Sequence, residues 1–201
     1  MRPGDPQGVD SIAIGRDSAA GGQSLNCVAI GPRAGNGGQG DYSTAIGSFA
    51  GEGVQSLACT AVGVSAGRFT QQPHATAVGS SAGRNNQGEH ATAVGRIAGH
   101  TDQGYGATAL GVGAGRTLQG RSCVAVGHDA GIQTQGDFSV AVGAYAGHQL
   151  QPARTIVISA LGVVFSPSNA TDAFYVKPIR PDAGTHALRY NPSTGEITYS
   201  L

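Results

Sequence analysis

Tryptophan is absent from this chain of 201 residues, aromatic residues make up only 5 % of it and charged residues only 12 %. A core built on large aromatic side chains is excluded by that composition. Neither sign of charge is in excess: 12 basic and 12 acidic residues leave a formal charge of zero. This balance gives no electrostatic case for nucleic acid or an anionic membrane as partner. No apolar run approaches the length of a membrane span, so membrane insertion is not expected. The start, Met1-Arg2-Pro3-Gly4-Asp5, lacks the apolar stretch of a secretory signal. No phosphate-binding loop, nucleophile elbow or zinc-ligand spacing occurs, and no cofactor is expected.

Glycine is abundant instead, at 34 residues, and 39 % of the chain is still hydrophobic, mostly Ala, Val and Ile. That much apolar content argues against a solvated disordered chain. The residues fall into a period of 16 without insertion or deletion, with Gly at 15, 31, 47, 63, 79, 95, 111, 127 and 143. Alanine stands two residues before each of these glycines, from Ala13 to Ala141, and glutamine eight residues after each, from Gln23 to Gln151. A fixed short period of this kind is the signature of a stacked repeat architecture.

Within each repeat a segment such as Ser139-Val140-Ala141-Val142-Gly143 alternates between two faces. Val140 and Val142 share one face, Ala141 and Gly143 the other. The column before the repeat glycine holds Ile14, Ile30, Ile46, Val62, Val78, Val94, Leu110, Val126 and Val142, which suits a pleated surface. A helical repeat would carry two glycines per turn, each costing about 1 kcal/mol. The chain is therefore read as all-β: a β-solenoid, or β-roll, of nine 16-residue turns over residues 9–162. It follows an N-terminal extension, 1–8, and precedes a C-terminal segment, 163–201, forming a β-hairpin cap. Turns stacked ~4.8 Å apart would make a rod of roughly 43 Å. The glutamine column reads as a ladder of side-chain amides, one per turn.

The alternation leaves the two faces unassigned. A flat Ala/Gly strip, if exposed, would be covered by another chain, and a closed ring of copies would hide the sheet edges. In the alternative, Ala and Gly point into a thin roll and Ile/Val meet the partner.

Ser11-Ile12-Ala13-Ile14-Gly15, Cys27-Val28-Ala29-Ile30-Gly31 and Ser139-Val140-Ala141-Val142-Gly143 resemble the head repeat of YadA-type trimeric adhesins, whose strand reads Ser-Val-Ala-Ile-Gly. The resemblance spans about residues 9–162, its last turn degraded to Ile156-Val157-Ile158-Ser159. It implies a β-roll assembled as a homotrimer. The added Ala-Gly and Gln-Gly pattern is more similar to repeats of tail-fibre or spike proteins of phages and large viruses. Beyond the repeat, Phe174-Tyr175-Val176-Lys177-Pro178-Ile179-Arg180 and Leu188-Arg189-Tyr190-Asn191-Pro192-Ser193-Thr194-Gly195-Glu196-Ile197-Thr198-Tyr199-Ser200 resemble the segment preceding an S74-type self-cleaving intramolecular chaperone. These resemblances imply a structural fibre or spike segment of a virion or other extracellular appendage, engaged in host attachment. A bacterial-type adhesin head and a carbohydrate-binding module are the alternatives. Asn191-Pro192-Ser193-Thr194-Gly195 between alternating runs signals a hairpin. Tyr175, Tyr190 and Tyr199 supply aromatic surface to close the open end of the solenoid.

Five groups of residues invite a chemical reading. Arg68, Arg84, His100 and Arg116 share one column, and an anionic glycan is the ligand such a basic stripe would take, since Arg makes bidentate contacts to carboxylate or sulfate. The plainer reading is a solvated turn edge. Cys27, Cys59 and Cys123 share another column. The first two lie roughly 10 Å apart, too far for an intrachain disulfide, and an interchain bridge or simple burial remains. His74 and His90 fall in successive turns and stack about 4.8 Å apart, a weak basis for a metal site. Thr44, Thr60, Thr76, Thr92 and Thr108 form a ladder of the kind that suggests ice binding, but Ile12, Val28, Val124 and Val140 flank it as at an interior or interface position. A glycosidase needs two neighbouring carboxylates; Asp41, Glu89 and Asp137 share a column three turns apart, roughly 14 Å, and Asp17 and Asp129 are farther. No catalytic residue is assigned, and an enzyme is not expected.

Overall fold

In a computed structural model of the chain, residues 7–167, 170–179, 188–191 and 193–199 are described. The elements are all strands and turns, and the strands stack as a β-solenoid of about ten turns. Each short strand pairs in parallel with its counterpart 16 residues on, as in Ile12↔Val28, Ala13↔Ala29 and Ile14↔Ile30. That register keeps every column of the sequence as a physical column on the rod. The first sheet runs from Ile12–Ile14 through nine such strands to Val140–Val142, then takes Ile156–Ser159 and Phe174–Lys177, making eleven strands. A second sheet of seven strands runs from Val54–Gln55 to Gln149–Gln151 on the other side of the roll. In the earlier turns only isolated bridges, Gln23↔Gln39 and Gln39↔Gln55, continue it. Gly21-Gly22 and Gly37-Gly38 stand where later turns carry side-chain-bearing strand residues.

The faces are now assigned. Ala29, Ala45, Ala61 and their successors to Ala141 are completely buried, as are Ala34 to Ala146 in the column three residues after the repeat glycine. The strip of small residues is therefore the core, and an exposed Ala/Gly strip meeting another chain is excluded. Alanine lets the two sheets approach closely, which a Val or Ile column pointing inward would prevent by its volume. The β-branched columns point outward. Ile14 is 59 % exposed and Leu110 46 %. Val28, the Thr ladder and Val140 lie on the same outer face, half-buried by their neighbours above and below.

Bulk in this thin core comes from the glutamines, which are the largest of the fully buried side chains. Gln71 is typical. Its Nε2 donates to the Thr60 carbonyl at 3.1 Å and to Gln87 Oε1 at 2.8 Å, while its Oε1 accepts from Gln55 Nε2 at 2.8 Å. The same two donations recur from Gln23 to Gln119. The amide ladder read from the sequence is thus present, with a bond to the facing strand that the sequence did not disclose. It ties the two sheets together across the core.

The corners use the left-handed backbone region heavily. Gly95 adopts φ +127°, and a Cβ there would lie 2.5 Å from the Gly111 carbonyl oxygen of the next turn. Several corners place side chains in the left-handed region at higher cost: Tyr42 at φ 61°, Ile97 at φ 54° and Phe138 at φ 60°. Hydrogen bonds between turns hold them, such as Tyr42 N–H to the Leu25 carbonyl at 2.9 Å.

The C-terminal end is closed by a strand. Phe174–Lys177 pairs in parallel with Ile156–Ser159, and Phe165 and Tyr175 pack against the last core residues with ring centroids 6.4 Å apart. Of the tyrosines expected to close this end only Tyr175 does so, with Phe165 beside it, while Tyr190 is exposed in a separate two-stranded sheet. The expected hairpin is present as Leu188–Tyr190 antiparallel to Ile197–Tyr199, in a sheet of its own, while Pro192 and Ser200 lie outside the described residues. At the other end, Gln7 and Gly8 stand one period before Gln23 and Ser24, so the phase of the repeat reaches into the stretch set apart as an extension.

Candidate functional site

The column holding Arg68, Arg84, His100 and Arg116 lies at the corner that leads into the second sheet. Strands such as Asn85–Gln87, Thr101–Gln103 and Thr117–Gln119 begin directly after it. The structure divides these four residues into two kinds. Arg68 is engaged: its Nε lies 2.6 Å from Glu52 Oε2, whose other oxygen is 2.7 Å from Arg33 Nη2. Glu52 is the preceding member of the same column, so this pairing was readable from the register.

Arg84 and Arg116 have no carboxylate partner among the described residues, and the Nε of Arg84 is buried without a hydrogen bond. His100 sits between them. Its Nδ1 lies 2.8 Å from Thr101 Oγ1, which also accepts from Asn85 Nδ2 at 3.3 Å. Burial first, and then the charges of Arg84 and Arg116, lower its pKa from the ordinary histidine value.

Aromatic rings position the arginines. The Arg33 and Arg68 guanidinium groups lie 5.5 and 5.0 Å from the Phe49 centroid, and Arg68 and Arg84 lie 5.0 and 5.4 Å from that of Phe69. This ladder of alternating Arg and Phe stiffens long side chains that would otherwise be mobile. Sequence reading missed it because Phe49 and Phe69 lie in neighbouring columns, not in the arginine column itself.

The other groups resolve more simply. Cys27, Cys59 and Cys123 are free and buried, and their thiols donate inward to the carbonyls of Gly40 at 3.1 Å, Gln72 at 3.1 Å and Gly136 at 2.9 Å. Ser43 and Ser139 make the same bond in this column, to Ser56 and Pro152, each at 2.7 Å. The cysteines thus substitute for serine in a turn-to-turn bond, and an interchain bridge has no access to them. Burial raises all three thiol pKa values. We expect native protein at pH 8 to react with a chromogenic disulfide reagent at least tenfold more slowly than denatured protein, because the thiolate is the nucleophile. Rapid labelling of any of them in the native state would contradict their inward placement.

His74 and His90 stack with centroids 5.0 Å apart and planes 4° from parallel, as the register predicts. His90 Nε2 lies 3.3 Å from Glu89, and no group of three or more His, Cys, Asp or Glu able to hold a metal occurs among the described residues. Asp41 accepts from the Leu25 amide at 3.1 Å. Asp137 accepts from the Arg121 amide and guanidinium, at 2.9 and 3.0 Å, and these bonds hold its carboxyl below the usual range. Asp41 and Asp137 are thus committed to turn-to-turn bonds, while Glu89, Asp17 and Asp129 lie against their chain neighbours His90, Arg16 and His128. No helix among the described residues is long and apolar enough to cross a membrane.

No protein-family model matches the chain, and no curated protein or solved structure matches it.

Proposed function

We propose that this chain is a non-enzymatic, rigid rod segment of a fibre or spike, of a virion or another extracellular appendage, that assembles as a homotrimer and takes part in host attachment. The observation that carries the reading is the outer face of the first sheet. Two columns, Ile12 to Phe174 and Ile14 to Val176, run its whole length without a charged residue. Eleven strands at ~4.8 Å and two columns ~7 Å apart make a flat strip of roughly 350 Å², the scale at which an exposed apolar patch marks an interaction surface. The Ser-x-Ala-x-Gly strand and the tail that resembles a pre-chaperone segment add the fibre context. A bacterial-type trimeric adhesin head has the same architecture and differs in its anchorage.

The test is the solution mass by light scattering of the chain and of a Thr76→Lys, Val78→Lys double variant. We expect a mass near three chains for the parent and near one chain for the variant, because charge on the strip cannot be buried unpaired. A parent mass near one chain would remove the trimer from the reading.

A further inference from the structure

We infer that Arg84, His100 and Arg116 form a binding site for an anionic polysaccharide segment carrying sulfate or carboxylate groups. The site concerns a different side of the rod from the strip above and stands whether or not the rod is a trimer.

Pairing of charge elsewhere on the rod makes this corner distinctive. Arg33 and Arg68 share Glu52, Arg121 pairs with Asp137 and Arg154 with Asp172. The solenoid arginines with no carboxylate partner among the described residues, Arg84, Arg96 and Arg116, fall within three successive turns, and His100 lies in the middle of them. In a chain of zero formal charge, three cationic or potentially cationic groups stacked ~4.8 Å apart repel one another unless an anion joins them. Arg84 is held in place over Phe69, so part of the entropy of ordering it is already spent before a ligand arrives.

His100 suits the same role. Thr101 Oγ1 accepts from Asn85 and has a hydroxyl proton to give His100 Nδ1, and the tautomer that receives it carries the imidazole proton on Nε2. That nitrogen has no partner among the described residues. It donates to an anion in the neutral ring and gains charge on protonation. The charged groups around it are Arg84 and Arg116 on the flanking turns and Asp102 in the strand that follows it. Asp102 Oδ1 accepts from Asn86 Nδ2 at 2.9 Å. The flanking strands Asn85–Gln87 and Thr117–Gln119 carry no titratable group.

Arginine's planar fork matches carboxylate and sulfate oxygens in pairs. Arg84 and Arg116 stand about 10 Å apart, a separation suited to charged groups on nearby units of a linear polysaccharide. The row ends within three turns, and Arg68 below it is already engaged by Glu52, which it shares with Arg33. Nucleic acid, with charge on every unit, calls for a longer basic track.

Calorimetric titration of the full chain at low salt tests the site with three probes: a heparin-derived hexasaccharide, an oligogalacturonate of similar length and a neutral dextran oligomer. One or both anionic probes should bind and the neutral one should not. The difference between the first two identifies sulfate or carboxylate as the group recognised. Arg84→Gln and Arg116→Gln should each weaken binding about tenfold, the loss of one charge-assisted contact, while Arg121→Gln should leave it unchanged. Affinity should rise between pH 7.5 and 5.5, since a bound anion favours protonated His100, and His100→Gln should flatten that rise. The inference is overturned if neither anionic probe binds the parent, if Arg121→Gln weakens binding as much as the other two, or if a single-stranded DNA hexamer binds as tightly as the better glycan.

Discussion

Replacing Gly95 with alanine is expected to destabilise the rod by about 3–5 kcal/mol, combining an unfavourable backbone conformation with a contact that cannot relax. The added Cβ would sit 2.5 Å from the Gly111 oxygen and 2.7 Å from its carbon, and both are backbone atoms fixed by the parallel register. Moving them would disturb the next turn, whose own glycine meets Gly127 in the same way. Because each turn is supported only by its neighbours, damage in the middle should uncouple the two halves of the rod. Hydrogen exchange should therefore show protection lost first in the turns around residues 95 and 111. Gly162→Ala is the informative control. Gly162 also has positive φ, at +67°, but a Cβ there meets nothing within 4 Å. Its cost should be only about 1 kcal/mol, that of the left-handed backbone alone. Equal losses at the two sites would mean that the close approach of successive turns contributes little.

The second large effect is at Gln71. Substitution by leucine keeps the volume but removes both donations and the acceptance. The Thr60 carbonyl, Gln55 Nε2 and Gln87 Oε1 then lose a partner in a dry interior. Each such group costs about 1–3 kcal/mol, and their shared network makes about 3–4 kcal/mol in total a reasonable expectation. Gln71→Glu adds a dependence on pH. A carboxylate there would face two acceptor oxygens, so its pKa in the folded state is raised above the unfolded value of about 4.3. The stability that the protonated group contributes is full below that unfolded value and is lost as pH rises through the folded pKa. The gap in thermal midpoint between variant and parent should thus widen from pH 4 to pH 7. Asp137 acts in the opposite sense, since its depressed pKa contributes stability above the unfolded value, so the difference from the parent is the quantity to read. A gap that narrows towards neutral pH would show that the glutamine column is not the dry amide ladder described above.

Much of this fold was legible because the repeat has no insertions. A period of 16 held over nine turns converts each sequence position into a column, and parallel pairing preserves the columns in space. The glutamine ladder, the stacked His74 and His90 and the separation of the cysteines followed from that alone. Less was legible at the corners. Tyr42, Ile97 and Phe138 occupy left-handed conformations that their local preferences disfavour, and bonds to the preceding turn impose them. The arginine column was legible as a stripe, but its division was not. Glu52 engages Arg68 while no described carboxylate pairs with Arg84 or Arg116, and Phe69 braces one of these two arginines from a neighbouring column.

By itself the sequence determined the period, the strand-and-turn alternation and the amide column, because these depend only on spacing along the chain. Only the tertiary structure decided which face is the core. Alternating Ala and Val is consistent with either face inward until the second sheet closes the roll, and the space between the sheets then admits alanine and excludes the β-branched columns.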